Sequence, residues 1–176
     1  MIRAAAASLV LAMTMSAGAS VAGPIEDMTG YWTGVGTITL SGKDTERVKC
    51  VVIYRVAQGG GSIKQTMRCA SADYRIDAKA DLTVNGAQVE GTWEEQTYSA
   101  SGQISGRYTG SSFSLAIQGA NFSAAMDVGL SGCRQSIQIR PKGLEVRRIV
   151  MSLSKCEGAP VSDERSSRRS RRTRRE

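Results

Sequence analysis

The sequence predicts an all-β fold: an antiparallel up-and-down meander of about ten strands that forms a closed or nearly closed barrel. From Tyr31 to Lys155, apolar and polar residues alternate with period two, and short clusters of Gly, Asn and Ser interrupt the alternation. No apolar stripe of useful length occurs at helical spacing. Strands with one apolar and one polar face, joined by short turns, suit a rolled meander, and closure removes the sheet edges.

The first residues have the layout of a cleavable signal peptide. Arg3 precedes a short apolar segment, and small residues follow up to Ala22. The apolar segment is shorter than the ~20 residues that a membrane-spanning helix needs, so we expect cleavage rather than anchoring. We place the signal peptide at residues 1–22, with cleavage after Ala22, or alternatively after Ala19.

The clearest hairpin is centred on Asn85-Gly86, because Asn-Gly is the strongest signal for a two-residue turn between alternating segments. The residues expected on its inward face are Ala80, Leu82, Val84, Ala87, Val89, Gly91 and Trp93. A second hairpin turns at residues 109–112. It is expected to place Ile104, Gly106 and Tyr108 opposite Ile117, Leu115 and Phe113.

A third hairpin brings the first two cysteines together. A turn centred on Gly59-Gly60 pairs Val56 with Ile63 and, further along, Cys50 with Cys69. With a four-residue loop, these cysteines form a non-hydrogen-bonded pair, where Cα atoms lie ~4.5 Å apart and a disulfide forms most easily.

The remaining two cysteines form the second predicted disulfide. By elimination Cys133 pairs with Cys156, across a last hairpin around Pro141-Lys142-Gly143. Strict alternation fails near Arg147-Arg148, so this strand needs a β-bulge to turn Ile149, Met151 and Leu153 inward.

The cysteine count and the absence of histidine restrict the chemistry and the compartment. An even number of cysteines in a small domain behind a signal peptide indicates disulfides and a periplasmic or secreted location. Without His, Ser-His-Asp and Cys-His catalysis and most zinc sites are excluded. We therefore expect no catalytic residues, no metal site and no cofactor.

The mature N-terminus carries a short family motif. Thr29-Gly30-Tyr31-Trp32 shows the Gly-x-Trp pattern that opens the first strand of lipocalin-like (calycin) barrels. Together with segments such as 46–50, 67–70 and 91–95, the chain resembles uncharacterised exported, lipocalin-like small β-barrel proteins of alphaproteobacteria. The resemblance covers most of residues 28–155. It implies a barrel and export, and it implies no activity.

Several aromatic and polar residues fall on the predicted inward face. Inward aromatics are most often core residues, but Gly34, Gly36, Gly91 and Gly106 lie among them. These glycines either leave room for an apolar ligand or relieve strand curvature. Glu95 follows Trp93 on this face, where it either orients a ligand or lies in water at the barrel mouth. The candidate ligand-binding residues are Trp32, Tyr54, Gln65, Trp93, Glu95 and Tyr108.

The chain ends in an arginine-rich segment. Asp163–Glu176 contains seven Arg and three acidic residues, and it accounts for most of the formal net charge of +7. We expect a barrel domain at 23–158 and a disordered tail at 159–176. Its positive charge suits an anionic envelope surface, bound through Arg165 to Arg175, rather than nucleic acid. A tail without any partner is the alternative.

The leading functional hypothesis is a non-enzymatic, monomeric barrel that binds a small apolar or amphipathic ligand in its interior. The alternative is a protein-interaction or envelope-structural module, such as a protease-inhibitor-like barrel whose segment 23–28 reaches into a partner. An outer-membrane barrel has the same alternation, but the four cysteines, low aromatic content and short loops argue against a membrane-spanning protein.

Overall fold

The computed structural model describes residues 25–42 and 44–156. A 3-10 helix, Ile25–Met28, precedes ten strands. The strands are β1 (Gly30–Leu40), β2 (Thr45–Val56), β3 (Ser62–Ala70), β4 (Arg75–Asn85), β5 (Gln88–Glu95), β6 (Ala100–Tyr108), β7 (Ser112–Gly119), β8 (Ser123–Ser131), β9 (Arg134–Lys142) and β10 (Val146–Ser154). The predicted signal peptide and arginine-rich tail lie outside the described residues. Within the described part of the chain, no helix has the length and apolar character needed to cross a membrane.

The ten strands form one closed antiparallel barrel, which confirms the predicted fold class. Each strand pairs with the next in the sequence, and β1 also pairs with β10. In every strand the buried residues alternate with exposed ones, as the period-two pattern requires. The apolar side chains therefore meet inside the barrel, and the charged ones cover its outer surface.

The hairpin of β2 and β3 has the predicted register. Val56 lies opposite Ile63, and Cys50 lies opposite Cys69. The Ala57 N–H donates to Ser62 O at 2.9 Å, which leaves a four-residue loop. The two cysteines form a disulfide with Cα atoms 4.1 Å apart, as expected for a non-hydrogen-bonded pair.

The hairpin of β4 and β5 turns one residue later than predicted. Asn85 pairs with Gln88, so Gly86 and Ala87 are the central turn residues, and Ala87 is exposed rather than inward. Gly86 has φ +58, and a glycine at the first central position is typical of a type II′ turn. The shift changes the register by two residues, so the other predicted inward residues keep their face.

The later hairpins also follow the predicted pattern. Tyr108 pairs with Phe113, as expected for a turn at residues 109–112. Cys133 and Cys156 form the second disulfide. The pairing of β1 with β10 shifts between Thr39 and Leu40, where Arg147 is left without an opposite residue, and this is the expected β-bulge.

The last turn differs from the prediction. Pro141 lies within β9 rather than in the turn, which occupies residues 143–145. Pro141 lies opposite Ala124 on β8. Within the described residues, the partner strand β10 pairs with β9 only from Ile149 to Ser154, opposite Ile139 to Arg134. Proline is tolerated at this strand end because no ladder hydrogen bond to β10 is lost there.

The two ends of the barrel differ in how they are filled. The closed pole is the end where β1 begins, and its turns are residues 57–61, 86–87, 109–111 and 132–133. The 3-10 helix packs there: Ile25 contacts Gly60, and Met28 O accepts a hydrogen bond from Trp32 Nε1 at 2.8 Å. The open pole is the opposite end, with turns at residues 41–44, 71–74, 96–99, 120–122 and 143–145.

A polar pair lies inside the closed pole. Tyr54 and Gln135 are 4% and 2% exposed, and their side chains hydrogen-bond to each other, with Gln135 Nε2 3.0 Å from Tyr54 Oη. Burial raises the pKa of the Tyr54 phenol, and the hydrogen bond to Gln135 offsets only part of that rise. Trp32 packs edge-on against Tyr54 with ring centroids 6.5 Å apart. The buried polar atoms of Tyr54 and Gln135 therefore take their hydrogen bonds from each other rather than from water.

This pairing predicts a non-additive mutational cycle. Tyr54→Phe should lower the free energy of unfolding by ~1–3 kcal/mol, because it leaves the buried Gln135 amide without its partner. Adding Gln135→Met should restore much of that loss, because Met has a similar size and no amide to satisfy. Urea unfolding of the two single variants and the double variant measures the cycle, and strictly additive losses would contradict the pairing.

Candidate ligand-binding cavity

A continuous hollow occupies the open half of the barrel. Its deeper part, the inner chamber, has a volume of ≈ 210 Å³ and is bounded by residues that include Gln65, Met67, Ala78, Ala124 and Met126. Its outer part, the mouth, has a volume of ≈ 660 Å³ and is bounded by residues that include Leu40, Tyr74, Tyr98, Ala100 and Leu144. Ile76, Trp93, Glu95, Phe122 and Ile149 border both parts. The volume of the mouth is that of a small-molecule pocket, which spans ~300–1,000 Å³, and the inner chamber is a smaller space beyond it.

Small inward-facing residues create the inner chamber. Ala78 and Ala80 on β4 and Ala124 on β8 face the interior where the closed pole instead holds Trp32 and Phe113. Apart from Gln65, Lys79 and Glu95, the other residues that border the chamber are apolar. The sequence analysis placed Ala80 on the inward face but included none of these alanines among the candidate ligand-binding residues. A small residue at an inward position between larger ones was the available signal.

Two aromatic side chains form one wall of the cavity. Trp93 and Phe122 meet in an edge-on arrangement, with ring centroids 5.5 Å apart. Trp93 crosses Gly102 on β6 and donates its indole N–H to Gln118 O on β7 at 3.1 Å. A Cβ on Gly102 would lie 1.7 Å from that carbonyl oxygen and 2.9 Å from Trp93 Nε1. Because residue 102 is glycine, the Trp93 indole can lie across it and reach Gln118 O.

The inward glycines do not supply the space of the cavity. A Cβ on Gly34, Gly91 or Gly106 would come within 1.9, 2.1 or 2.2 Å of a backbone oxygen on the adjacent strand. At Gly36 it would meet the Met151 side chain at 2.9 Å. Glycine at these positions thus allows neighbouring strands to approach closely, as strongly curved strands require. This observation favours the interpretation that the glycines relieve strand curvature over the interpretation that they leave room for a ligand.

Glu95 lies in the cavity wall, half-buried, at the end of β5. Its Oε1 accepts a hydrogen bond from Asp77 N–H at 2.8 Å, and its Oε2 accepts one from Tyr98 N–H at 2.6 Å. Burial favours the protonated carboxyl, but these and the Thr97 hydrogen bonds outweigh it and hold the pKa below the ordinary glutamate value. The cavity therefore contains an ionised carboxylate at neutral pH.

The predicted binding residues separate into two groups. Gln65, Trp93 and Glu95 border the inner chamber. Trp32, Tyr54 and Tyr108 lie at the closed pole, outside the inner chamber and the mouth. The structure therefore brings half of the predicted set together around the cavity and does not bring the other half to it.

The closed pole holds its aromatic residues in contacts within the protein. Tyr108 donates its hydroxyl proton to Gly110 O at 2.7 Å. Burial raises the pKa of the Tyr108 phenol, and the charges of Glu26 and Asp27 raise it further. Lys155 lies over the Trp32 ring, 5.3 Å from its centroid, and its ammonium donates to Asp27 O. These contacts join both ends of the described chain to this pole.

Comparison with solved structures shows the fold in other small proteins. Rv2717c from M. tuberculosis superposes with a TM-score of 0.58 at 14% identity, covering 74% of this chain and 93% of its own. The S-type phycobiliprotein lyase CPES from Guillardia theta superposes with a TM-score of 0.55 at 10% identity, covering 77% of this chain and 92% of its own.

A third structure is larger. It is a protein of unknown function from the DUF3598 family of Nostoc punctiforme, with a TM-score of 0.54, 14% identity and coverage of 80% of this chain and 53% of its own. No protein-family model matches the sequence, and no curated protein matches it significantly. At these identities the likeness shows a shared β-barrel fold.

The position of Trp93 gives a testable packing prediction. Gly102→Ala should lower the free energy of unfolding by ~1–3 kcal/mol, because the new methyl group overpacks against backbone and indole. The Trp93 fluorescence should also change as the indole loses its bond to Gln118. Chemical unfolding monitored by circular dichroism measures the loss. Gly61→Ala is the matched comparison, because the nearest atom to its Cβ position is Val84 O at 3.9 Å and its φ lies outside the left-handed region. Overpacking at Gly102 would be contradicted if both variants were equally stable.

The Glu95 hydrogen bonds predict a pH dependence of stability. A carboxyl whose pKa is lowered by folding stabilises the folded state above its unfolded pKa, and this stabilisation is lost as pH falls through the folded value. Wild type should therefore exceed Glu95→Gln in unfolding free energy at pH 7, and the gap should shrink below the ordinary value of 4.5. Urea unfolding between pH 7 and pH 3 measures this gap. Glu94→Gln is the comparison variant, because it removes the neighbouring carboxylate, which lies on the outer face of the same strand.

Proposed function

We propose that this chain is an exported, non-enzymatic barrel that binds a small apolar or amphipathic molecule in its open half. The observation that carries the proposal is the continuous apolar hollow formed by the inner chamber and the mouth. An apolar ligand in such a space replaces water molecules that find few hydrogen-bond partners on the walls. Removing apolar surface from water contributes ~25 cal/mol per Å² to the binding free energy. Gln65, Trp93 and Glu95 are the predicted residues that would contact the ligand.

The chemistry of the cavity supports binding rather than catalysis. Glu95 is the ionisable side chain that points inward where the inner chamber and the mouth meet, and both of its oxygens accept hydrogen bonds from backbone N–H groups. Among the described residues, no group of three or more His, Cys, Asp or Glu is arranged to hold a metal ion. A single carboxylate held in this way suits the positioning of a ligand.

Export is part of the same proposal. Two disulfides in a small domain are typical of an oxidising compartment. Residues 1–22 would be removed as a signal peptide, residues 23–158 would form the barrel domain in the periplasm or outside the cell, and residues 159–176 would form the tail. Arg165 to Arg175 would supply a basic segment for an anionic envelope surface.

The inhibitor-like alternative receives less support from the fold. In that hypothesis the segment before β1 reaches into a partner protein. Ile25 and Met28 are instead 8% and 4% exposed, because they pack against the closed pole of their own barrel. Reaching a partner would require these side chains to leave their packing, so the cavity supports the ligand-binding hypothesis better.

Binding in the inner chamber can be tested with a neutral fluorescent probe. N-phenyl-1-naphthylamine should bind the mature chain saturably at one site, with a rise in probe fluorescence. Ala124→Phe should weaken binding about tenfold or more, equivalent to ~1.4 kcal/mol, because the new ring fills the chamber. Ala125→Phe is the matched control, since Ala125 is the next residue on β8 and faces outward.

Two outcomes would overturn the proposal. One is the absence of saturable binding to the wild-type chain. The other is equal binding by both phenylalanine variants, which would place the probe outside the chamber. Circular dichroism of each variant checks that the barrel remains folded.

A further inference from the structure

The acidic residues near the cavity differ in how their charges are balanced. On the outer surface, Asp77 lies 3.0 Å from Arg68, and Glu94 lies 3.3 Å from Lys79. Glu95 is the inward neighbour of Glu94, and among the described residues its carboxylate forms no ion pair. The residues opposite Glu95 on the two adjacent strands are Ala78 and Ala100. These two outward acids thus have a counter-charge close by, whereas Glu95, which lines the cavity, has none among the described residues.

The Glu95 carboxylate lies in the wall shared by the inner chamber and the mouth, and no cation among the described residues compensates its charge. Thr97 hydrogen-bonds to it, and its two oxygens accept hydrogen bonds from Asp77 N–H at 2.8 Å and from Tyr98 N–H at 2.6 Å. These two bonds also hold the carboxylate in place, so a ligand group would meet it without further ordering. Fixing a charged acceptor in advance reduces the entropic cost of binding.

The wider charge pattern of the mouth has the same sign. Glu145 also borders the mouth, and no Lys or Arg is among the described residues that line it. Lys79 borders the inner chamber, and its ammonium lies 3.3 Å from Glu94. Trp93 lies two residues before Glu95 and therefore on the same face, where its π face attracts cations. The whole sequence carries a formal net charge of +7, so this acidic mouth is opposite in sign to the protein as a whole.

We infer that the cavity selects amphiphiles with a cationic headgroup, an ammonium or amidinium, which binds Glu95 while the apolar part of the ligand fills the inner chamber. This inference rests on the proposed function and narrows its ligand class. The cation supplies the counter-charge that Glu95 lacks, and the apolar walls supply most of the binding free energy. An anionic amphiphile of the same length would meet two carboxylates at the mouth and be disfavoured.

The test compares three ligands with the same ten-carbon chain and different headgroups. Decylammonium, decanol and decanoate are titrated into the mature, oxidised chain at pH 7 below their micelle concentrations, with isothermal titration calorimetry as the readout. The dissociation constant of decylammonium should be at least about fivefold lower than that of decanol, because a partly exposed ion pair contributes a free energy of that size. Decanoate should bind more weakly than decanol.

Two substitutions locate the headgroup. Ala100→Lys places an ammonium opposite Glu95 while leaving the bonds from Asp77 and Tyr98 intact, and it should abolish the preference for decylammonium. Gln103→Lys is the control, since Gln103 lies opposite Thr92 on the outer surface of the same strand, lines neither the inner chamber nor the mouth, and should leave the preference unchanged. In a third variant, Glu95→Gln should weaken decylammonium binding about fivefold and leave decanol binding unchanged.

The outcomes separate this inference from the proposed function. If none of the three ligands binds, the ligand-binding function itself is wrong. If decanol binds and decylammonium binds no more tightly, the interior binds ligands and only the headgroup inference is overturned. If Ala100→Lys and Gln103→Lys both retain the preference, the cation does not bind at Glu95, which also overturns the inference.

Discussion

The pairing of the first strand with the last is the constraint on which the rest of the molecule depends. β1 and β10 are joined from Thr33 opposite Ser154 to Leu40 opposite Val146, so the sheet closes only after nearly all of the described chain is in place. Without that seam the meander would be an open, curled sheet with two unpaired edges and its apolar face in water. The bulge at Arg147 belongs to the same constraint, because it lets β10 end its pairing with β1 while its inward residues keep facing the core.

Closure creates an interior, and side-chain size divides that interior into a solid half and a hollow half. At the closed pole, Trp32, Tyr54 and Phe113 fill the cross-section, and the 3-10 helix covers what remains. Towards the open pole, alanines take inward positions and the space is left unfilled. The solid half provides the packed core that a small domain needs for stability. The hollow half retains apolar surface that is only partly buried.

The sequence predicted which residues of each strand face the interior of the barrel. It did not predict as well how far along the barrel axis those residues lie. Alternation identified which residues face inward, and the spacing from Cys50 to Cys69 fixed one register, because only one pairing aligns both the turn and the sulfurs. The Asn85 turn was misplaced by one residue because Gly86 satisfies either a type I′ or a type II′ geometry. The predicted ligand set mixed two poles, because inward alternation does not say which end of the barrel a residue occupies. In a meander successive strands run in opposite directions, so Trp32 at the start of β1 and Tyr108 at the end of β6 reach one pole, and Glu95 at the end of β5 reaches the other.

Both ends of the described chain lie at the closed pole. The 3-10 helix beginning at Ile25 packs there, and the disulfide from Cys133 to Cys156 fixes the point at which the chain leaves the barrel. The mouth opens at the far end of the same strands. A molecule tethered at Ile25 or at Cys156, the two ends of the described chain, is therefore held by its filled end, whether the tether leads to a surface, a resin or a fused protein. Its entrance is directed into the surrounding medium, where ligand exchange meets no obstruction from the support.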